Sequence, residues 1–360
     1  MAKVFLAGVK KGSSESLLRE AVRVSAEATT DFSWLSKGDA VFIKPALNSG
    51  NNFPATTNPA GIKAMVELLK DKGAGRIVLG DMSGVEHLKF RPDSISGSTR
   101  SLMEKCGMAQ AALEAGAELH FFEEMGWDAF YEDSPPSGSH WKKGLMLPII
   151  LKEMDHIILM PRCGRHTLAG STLGLKAAVG YWRTDTRLEY HKDAETLYEK
   201  TAEANAVDSL VMKQRLVVSV ANKILTTYGP DKGYVFEPGT GLVIASKSAV
   251  ANDMVSLAWL LLGRLQTPKW ELVWLNDPDK SQLIVNIANR WIVSMLGNIM
   301  DAFQADTLMK NDVKNIWEDR TLNRAYQLFG GRPTIDLVAT NDLVSAELKK
   351  RLTEMTTFGS

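Results

Sequence analysis

Seven side chains that a buried core rarely holds together fall between Pro161 and His191: Arg162, Arg165, His166, Lys176, Arg183, Arg187 and His191. The only acids in that stretch are Asp185 and Glu189. Such an excess of positive charge suits an anionic ligand. Lys176 has apolar neighbours, and a partly desolvated lysine near other cations has a depressed pKa, so it could act as a nucleophile or carry a covalent cofactor. His166 and His191 are of the type that transfers protons near neutral pH or ligates a metal. The plainer reading is a lysine snorkelling from a helix beside two unrelated histidines.

Four further segments place polar groups where a strand ends, the usual position of a ligand crevice in an α/β sheet. Lys44-Pro45 ends one such run, and Thr56-Thr57-Asn58-Pro59 opens the next helix. A lysine beside a helix N-terminus favours an anion, although a solvated lysine and an ordinary cap read equally well. Gly80-Asp81 leads to His87, either a general base or a surface histidine. Tyr228 to Gly233 is a turn by composition. In the last segment, Ser246 to Asp253, the aspartate either orients a cation or simply favours the start of a helix. Gly170 to Lys176 superficially resembles a phosphate loop, but its spacing is wrong and no Ser or Thr follows Lys176.

The elements that must position these residues follow from periodicity. Compact apolar runs at Val4–Ala7, Ala40–Lys44, Arg76–Gly80, Glu118–Phe122 and His156–Met160 read as strands. Amphipathic stretches at Glu15–Ala28, Pro59–Lys72, Thr99–Gly107, Met108–Ala115 and Leu147–Met154 read as helices between them. The segment from Arg162 to His191 has no clear strand. Beyond it come helical sequence from Asp193 to about Arg215, strands at Leu216–Val220 and Gly241–Ala245, and helices at Val250–Gln266, Gln282–Phe303 and Asn315–Leu328. Thr334–Val338 and a helix over Asp342–Met355 close the chain. Alternating strand and helix predicts an α/β fold, a mostly parallel sheet with flanking helices. Two lobes are expected, residues 1–200 with the His/Lys loop and residues 201–360 with a helical C-terminal part.

Composition removes several function classes. The 42 Lys+Arg against 42 Asp+Glu leave no net charge to hold a polyanion, so no nucleic-acid partner is expected. The stretches Met254–Gly263 and Leu283–Met300 are respectively too short for a bilayer and interrupted by Asn286, Asn289 and Arg290, so no membrane partner is expected. Cys106 and Cys163 are the only cysteines. They are expected to stay unbonded in a reducing cytoplasm, and nothing in Met1 to Ser14 resembles an export signal.

Taken in order, these segments resemble the domain of unknown function 362 family. The residues that carry the resemblance are Lys44-Pro45, Thr57 with Pro59, Gly80-Asp81, Pro161 with His166, Gly174 with Lys176 and Gly180, His191, Gly229-Pro230 with Gly233, and Ser246 with Asp253. Ala46, Asn58 and Ala177 stand where the family usually has Asn, His and Asn, and Gly164-Arg165 where Lys and Thr are common, which points to altered substrate chemistry. The cysteine clusters that label many members iron-sulfur proteins are absent from this sequence.

A more distant resemblance is to the lactate racemase family, in which His, Lys and His occur in an order and spacing similar to His166, Lys176 and His191. It implies a metal or a lysine-linked nickel-pincer nucleotide as cofactor, carried on Lys176 with His191 as nickel ligand. It also implies His166 and His87 as acid and base in a hydride-transfer racemisation. The expected function is therefore an enzyme acting on a small anionic, carboxylate-bearing metabolite by proton or hydride transfer, isomerase- or racemase-like. His166, Lys176, His191 and His87 are the expected catalytic set. Lys44, Thr57, Asp81, Arg165, Arg183, Arg187 and Asp253 are the expected ligand-binding set. The competing class is a non-catalytic anion- or metal-binding protein, or a redox-assembly component.

Overall fold

The computed structural model describes residues 1–272, 280–311 and 314–359. Its centre is an eight-stranded sheet in the order Ile335–Ala339, Ala2–Lys10, Thr240–Ser246, Gln214–Ala221, His156–Met160, Ala40–Pro45, Arg76–Asp81, Glu118–Phe121. Only Thr240–Ser246 runs against its two neighbours; every other pairing is parallel. The fold is α/β with a mostly parallel sheet, and five of its strands precede residue 200 while three follow it.

Period-two alternation sends side chains to both faces of this sheet, which explains why its strands are apolar throughout. Val41 and Ile43 join a core with the helices Glu15–Thr29 and Pro59–Asp71, while Phe42 joins the opposite core with the helix Ala249–Leu265. The caps follow the sequence. Asn58 Oδ1 accepts from the N–H groups of Ala60 and Gly61, with Pro59 first in the helix. Ser248 caps Ala249–Leu265 by accepting from Ala251 N–H. Among the described residues no helix is long and apolar enough to cross a membrane. Cys106 and Cys163 are both buried free thiols.

Several boundaries differ from the sequence reading. Arg162 to His191 does contain strands, Gly164–His166 and Gly170–Thr172, which pair with each other in a small second sheet. Three residues each are too few for an alternation signal to register. The helix expected at Leu147–Met154 is a strand, Leu145–Pro148, paired with Phe130–Asp133 and followed by a single turn at Ile150–Glu153. Proline ending that strand removes a backbone donor and interrupts any helix. The helical stretch from Asp193 breaks into short pieces, Leu197–Glu203 and Asp208–Val211, before the strand beginning at Gln214. Gln282–Phe303 is two helices, Gln282–Leu296 and Ile299–Gln304, divided at Gly297, with Asn298 and Asp301 forming a capping box for the second.

Candidate functional site

Strand ends gather the chemistry. Lys44 and Asp81 close two adjacent parallel strands, and Arg162 follows the strand on the other side of Lys44. The chain then passes through the hairpin bearing His166 to a 3-10 turn, Leu175–Tyr181, bearing Lys176, and on to the helix Thr184–Lys192 bearing Arg187 and His191. Trp182 packs edge-on to Trp141 at 5.1 Å and to Tyr190 at 5.0 Å, which fixes this segment against the core. A cavity of about 520 Å³ results, lined by Lys44, Asp81, His87, Arg162, His166, Lys176, Arg187 and His191 among others. Its volume lies within the roughly 300–1,000 Å³ range of small-molecule sites.

Each lining group has distinct partners. Lys44 Nζ forms a buried ion pair with Asp81 Oδ2 at 2.9 Å and donates to the Pro45 carbonyl at 2.6 Å. Asp81 also accepts from Leu47 N–H at 3.1 Å and Met82 N–H at 2.8 Å. Gly180 is required beside this pair, because a Cβ there would stand 2.2 Å from Asp81 Oδ1 and 2.4 Å from Lys44 Nζ. Arg187 donates to the carbonyls of Met82, Ser83, Gly180 and Trp182, fastening the Asp81 turn to the Lys176 turn. Arg162 donates to Ala55, Pro230 and Thr172 and approaches Asp231 only to 3.9 Å. Among the described residues no carboxylate pairs with Lys176, whose ammonium lies 5.9 Å from the Tyr190 ring centre.

The two histidines are held in opposite ways. His166 Nδ1 accepts from Leu168 N–H at 3.1 Å and Ala169 N–H at 3.2 Å, so its proton resides on Nε2. A neutral ring of that tautomer is a hydrogen-bond donor to the cavity and not a base. His191 Nδ1 lies 2.9 Å from Asn289 Oδ1, while the same amide donates through Nδ2 to the His191 carbonyl at 2.9 Å. The carbonyl contact sets the amide's orientation, so Nδ1 carries the proton and Nε2 keeps its lone pair.

Burial dominates the titration of every group here. It pushes His166 well below the ordinary imidazole range, with Lys176 and Arg162 adding repulsion. It takes His191 down to about 3 against the opposing effect of the hydrogen bond that Nδ1–H donates to Asn289 Oδ1. Lys176 falls to about 7, through burial first and then repulsion from Arg162 and Arg187. For Lys44 and Asp81, desolvation presses each towards its neutral form and their mutual attraction opposes it.

Of the remaining expected residues, Thr57, Arg165 and Arg183 lie outside the cavity lining, and His87 belongs to it. Thr57 Oγ1 donates to the Met160 carbonyl at 2.5 Å and accepts from Ala46 N–H at 2.8 Å, tying two strand ends together behind the cavity. Arg165 is buried in its hairpin and donates to the Gly170 carbonyl. Arg183 pairs with Asp185 and packs 4.3 Å over Trp127. His87 stands exposed at the cavity mouth with Glu86 and Asp231, their ligand atoms all within 4.8 Å of one another.

Asp253 acts from below. Its carboxylate accepts from Gly174 N–H at 2.7 Å and Leu175 N–H at 2.9 Å, fixing the entrance to the Lys176 turn, and burial raises it to about 7. A carboxyl raised in the folded state binds its proton more tightly there than in the unfolded chain. Stability from this group therefore falls as pH rises from about 4 to about 7. Urea melts of wild type and Asp253→Asn at pH 5 and pH 7.5 are expected to show the wild type losing ground to the variant at the higher pH. An unchanged difference between the two proteins would contradict it.

The sequence reading counted Arg162 in the cationic cluster but left it out of the expected binding set, and it missed Asp231, Asn289 and the apolar wall Ala288, Ile292 and Leu296. The signal for Asn289 was present, since an asparagine interrupts an otherwise apolar helical face.

No curated protein matches the chain. Among solved structures it is similar to a protein from Thermotoga maritima at 10% identity and a TM-score of 0.41, over 72% of this chain and 59% of that one. It is also similar to the lactate racemase apoprotein from Thermoanaerobacterium thermosaccharolyticum, at 11% identity and a TM-score of 0.41, over 97% of this chain and 86% of that one. The chain thus spans 59% of the length of the Thermotoga protein. The family model described as "Domain of unknown function (DUF362)" matches residues 41–258, a span that contains Lys44, Asp81, His87, Arg162, His166, Lys176, Arg187 and His191. With well over half of its length matched, the chain belongs to the DUF362 family.

Proposed function

We propose that the chain is an enzyme that moves a hydrogen, as proton or hydride, at the carbon next to the carboxylate of a small anionic metabolite. The observation that carries this reading is the pair of neutral imidazoles lining one cavity in opposite tautomers, with an unpaired lysine beside them. A substrate carboxylate would enter against Lys176, which has no carboxylate partner among the described residues, and against Arg162, whose one ion-pair contact among them is a loose 3.9 Å approach to Asp231. Its negative charge would oppose the burial and the repulsion that lower Lys176 and His191, favouring the protonated form of each and raising His191 towards the range in which a base works near neutral pH. His191 Nε2 would then take the hydrogen as a proton, and the Lys176 amine or ammonium would take or return it. His166 Nε2–H would donate to the oxygen on which charge develops, as a neutral electrophile. Arg187, fully engaged by backbone carbonyls, would add positive potential without touching the substrate.

The donor set also fits the lysine-linked nickel-pincer nucleotide that the resemblance to the lactate racemase family implies. An unpaired Lys176 amine and the His191 Nε2 lone pair are the two groups that would hold it, and when bound it would supply a hydride acceptor. His166 and Arg162 would keep the roles given above with or without it.

The test is a screen of 2-hydroxy and 2-amino carboxylates in deuterated water, using protein prepared from its native source and reading α-carbon deuterium by mass spectrometry and configuration by chiral chromatography. At least one compound is expected to exchange or invert. Carboxylates that bind but neither exchange nor invert would favour the passive anion-binding protein.

A further inference from the structure

The base in this scheme needs a particular tautomer, and an element outside the family-matched span supplies it. Asn289 is completely buried on the helix Gln282–Leu296, on the same face as Val285, Val293 and Leu296. A buried amide among apolar side chains is unfavourable unless its donor and acceptor are both matched. Here both are matched by one residue: Oδ1 meets the His191 ring, and Nδ2 meets the His191 carbonyl, in the last turn of its helix where carbonyls lack helical partners. The next helix, Ile299–Gln304, and the residues after it are tied to the end of the His191 helix. Lys192 Nζ pairs with Asp301 Oδ1 at 2.8 Å, and Asp306 N–H donates to the Lys192 carbonyl at 2.8 Å. Ala288 and Ile292, on either side of Asn289, line the cavity directly.

We propose that Asn289 is a positioning residue that locks His191 in the Nδ1–H tautomer and so presents the Nε2 lone pair to the cavity. This rests on the reading of His191 as the hydrogen-accepting group. Without the lock, His191 would be free to offer an Nε2–H donor as His166 does, and the buried imidazole lone pair beside Lys176 would be lost. The matched span 41–258 ends before this helix. The C-terminal part of the chain therefore sets the working state of a residue inside that span.

The experiment reads the tautomer itself and needs no ligand. Histidine 15N spectra of the full-length protein at neutral pH are expected to show His191 with a pyrrole-type Nδ1 and a pyridine-type Nε2, and His166 with the reverse. Carbethoxylation of neutral imidazole by diethyl pyrocarbonate, mapped by peptide mass spectrometry, is expected to reach His191 before His166. In Asn289→Leu the His191 tautomer should be lost and its modification slowed by about 10- to 100-fold, the usual size of such orienting effects. In Asn289→Asp the carboxylate still accepts from Nδ1–H, so the tautomer should persist although the donor to the backbone is gone. A merely structural asparagine would be harmed by both changes and would leave the tautomer unmoved. Wild-type His191 carrying its proton on Nε2 would overturn the proposal. So would a native-like Asn289→Leu with an unaltered tautomer, or, where that variant fails to fold, an Asn289→Asp protein that has switched. A correct tautomer with no α-carbon exchange would instead defeat the catalytic reading and leave the lock standing.

Discussion

Replacing Lys176 with alanine is expected to lower α-carbon exchange by about 10²-fold or more, the scale of a lost acid–base group, and to leave the melting temperature unchanged or raised. The two effects part because of what surrounds the amine. Burial and the nearby Arg162 and Arg187 already work against its charge, and no carboxylate among the described residues balances it. Removing it relieves repulsion in the folded state, while alanine suits the backbone of the turn. Lys176→Arg should fail in function as well. A guanidinium stays charged at any working pH, so it cannot serve as the neutral amine, and it adds bulk beside two other arginines. The amine can also be followed directly. An anionic amine reagent such as trinitrobenzenesulfonate should modify Lys176 ahead of surface lysines, with a rate that climbs as pH passes through about 7. Full activity in Lys176→Ala with an unchanged melt, or Lys176 labelling no faster than the surface lysines, would remove the catalytic lysine from the scheme.

Much of this site was legible because its parts lie at strand ends, and strand ends are what hydrophobic periodicity locates best. Lys44, Asp81 and Arg162 each follow a compact apolar run, and parallel pairing then places them side by side. The cationic excess between Pro161 and His191 needed only counting. What could not be read were the partners. Nothing in the sequence shows that Lys44 is balanced by Asp81, that Arg187 is taken up by carbonyls, or that Asp253 reaches the backbone beneath Lys176 across more than seventy residues. Thr57 has the character of an anion-binding cap, yet its hydroxyl is engaged by Met160 and Ala46. The helix that supplies Asn289 reads as an apolar element interrupted by asparagines, but amphipathic spacing reveals a buried face without revealing what it faces. Short strands such as Gly164–His166 are invisible for a related reason, being fixed by pairing with Gly170–Thr172 and not by local preference.

The Lys44–Asp81 pair gives the second large expected effect, this time on stability. Breaking a buried pair by removing one partner leaves an uncompensated charge and costs about 3–5 kcal/mol. Lys44→Met should fall in that range. Asp81→Leu should cost more, because it also strands the N–H groups of Leu47 and Met82, each worth about 1–3 kcal/mol when left unbonded. The double variant should be less destabilised than the sum of the singles by about 0.5–3 kcal/mol, the range of direct coupling. Urea denaturation of the four proteins measures it, and strictly additive losses would mean that the contact contributes no coupling. Activity should fall along with stability in the singles, by a route that geometry defines. Asp81 holds the turn whose carbonyls Arg187 grips, and Arg187 also grips Gly180 at the end of the Lys176 turn. Because Lys44 and Asp81 cancel, the positive potential at the inner end of the cavity comes from Arg162, loosely paired with Asp231 at 3.9 Å, from Arg187 and from Lys176, and an entering carboxylate meets in Lys176 a group without a carboxylate partner among the described residues.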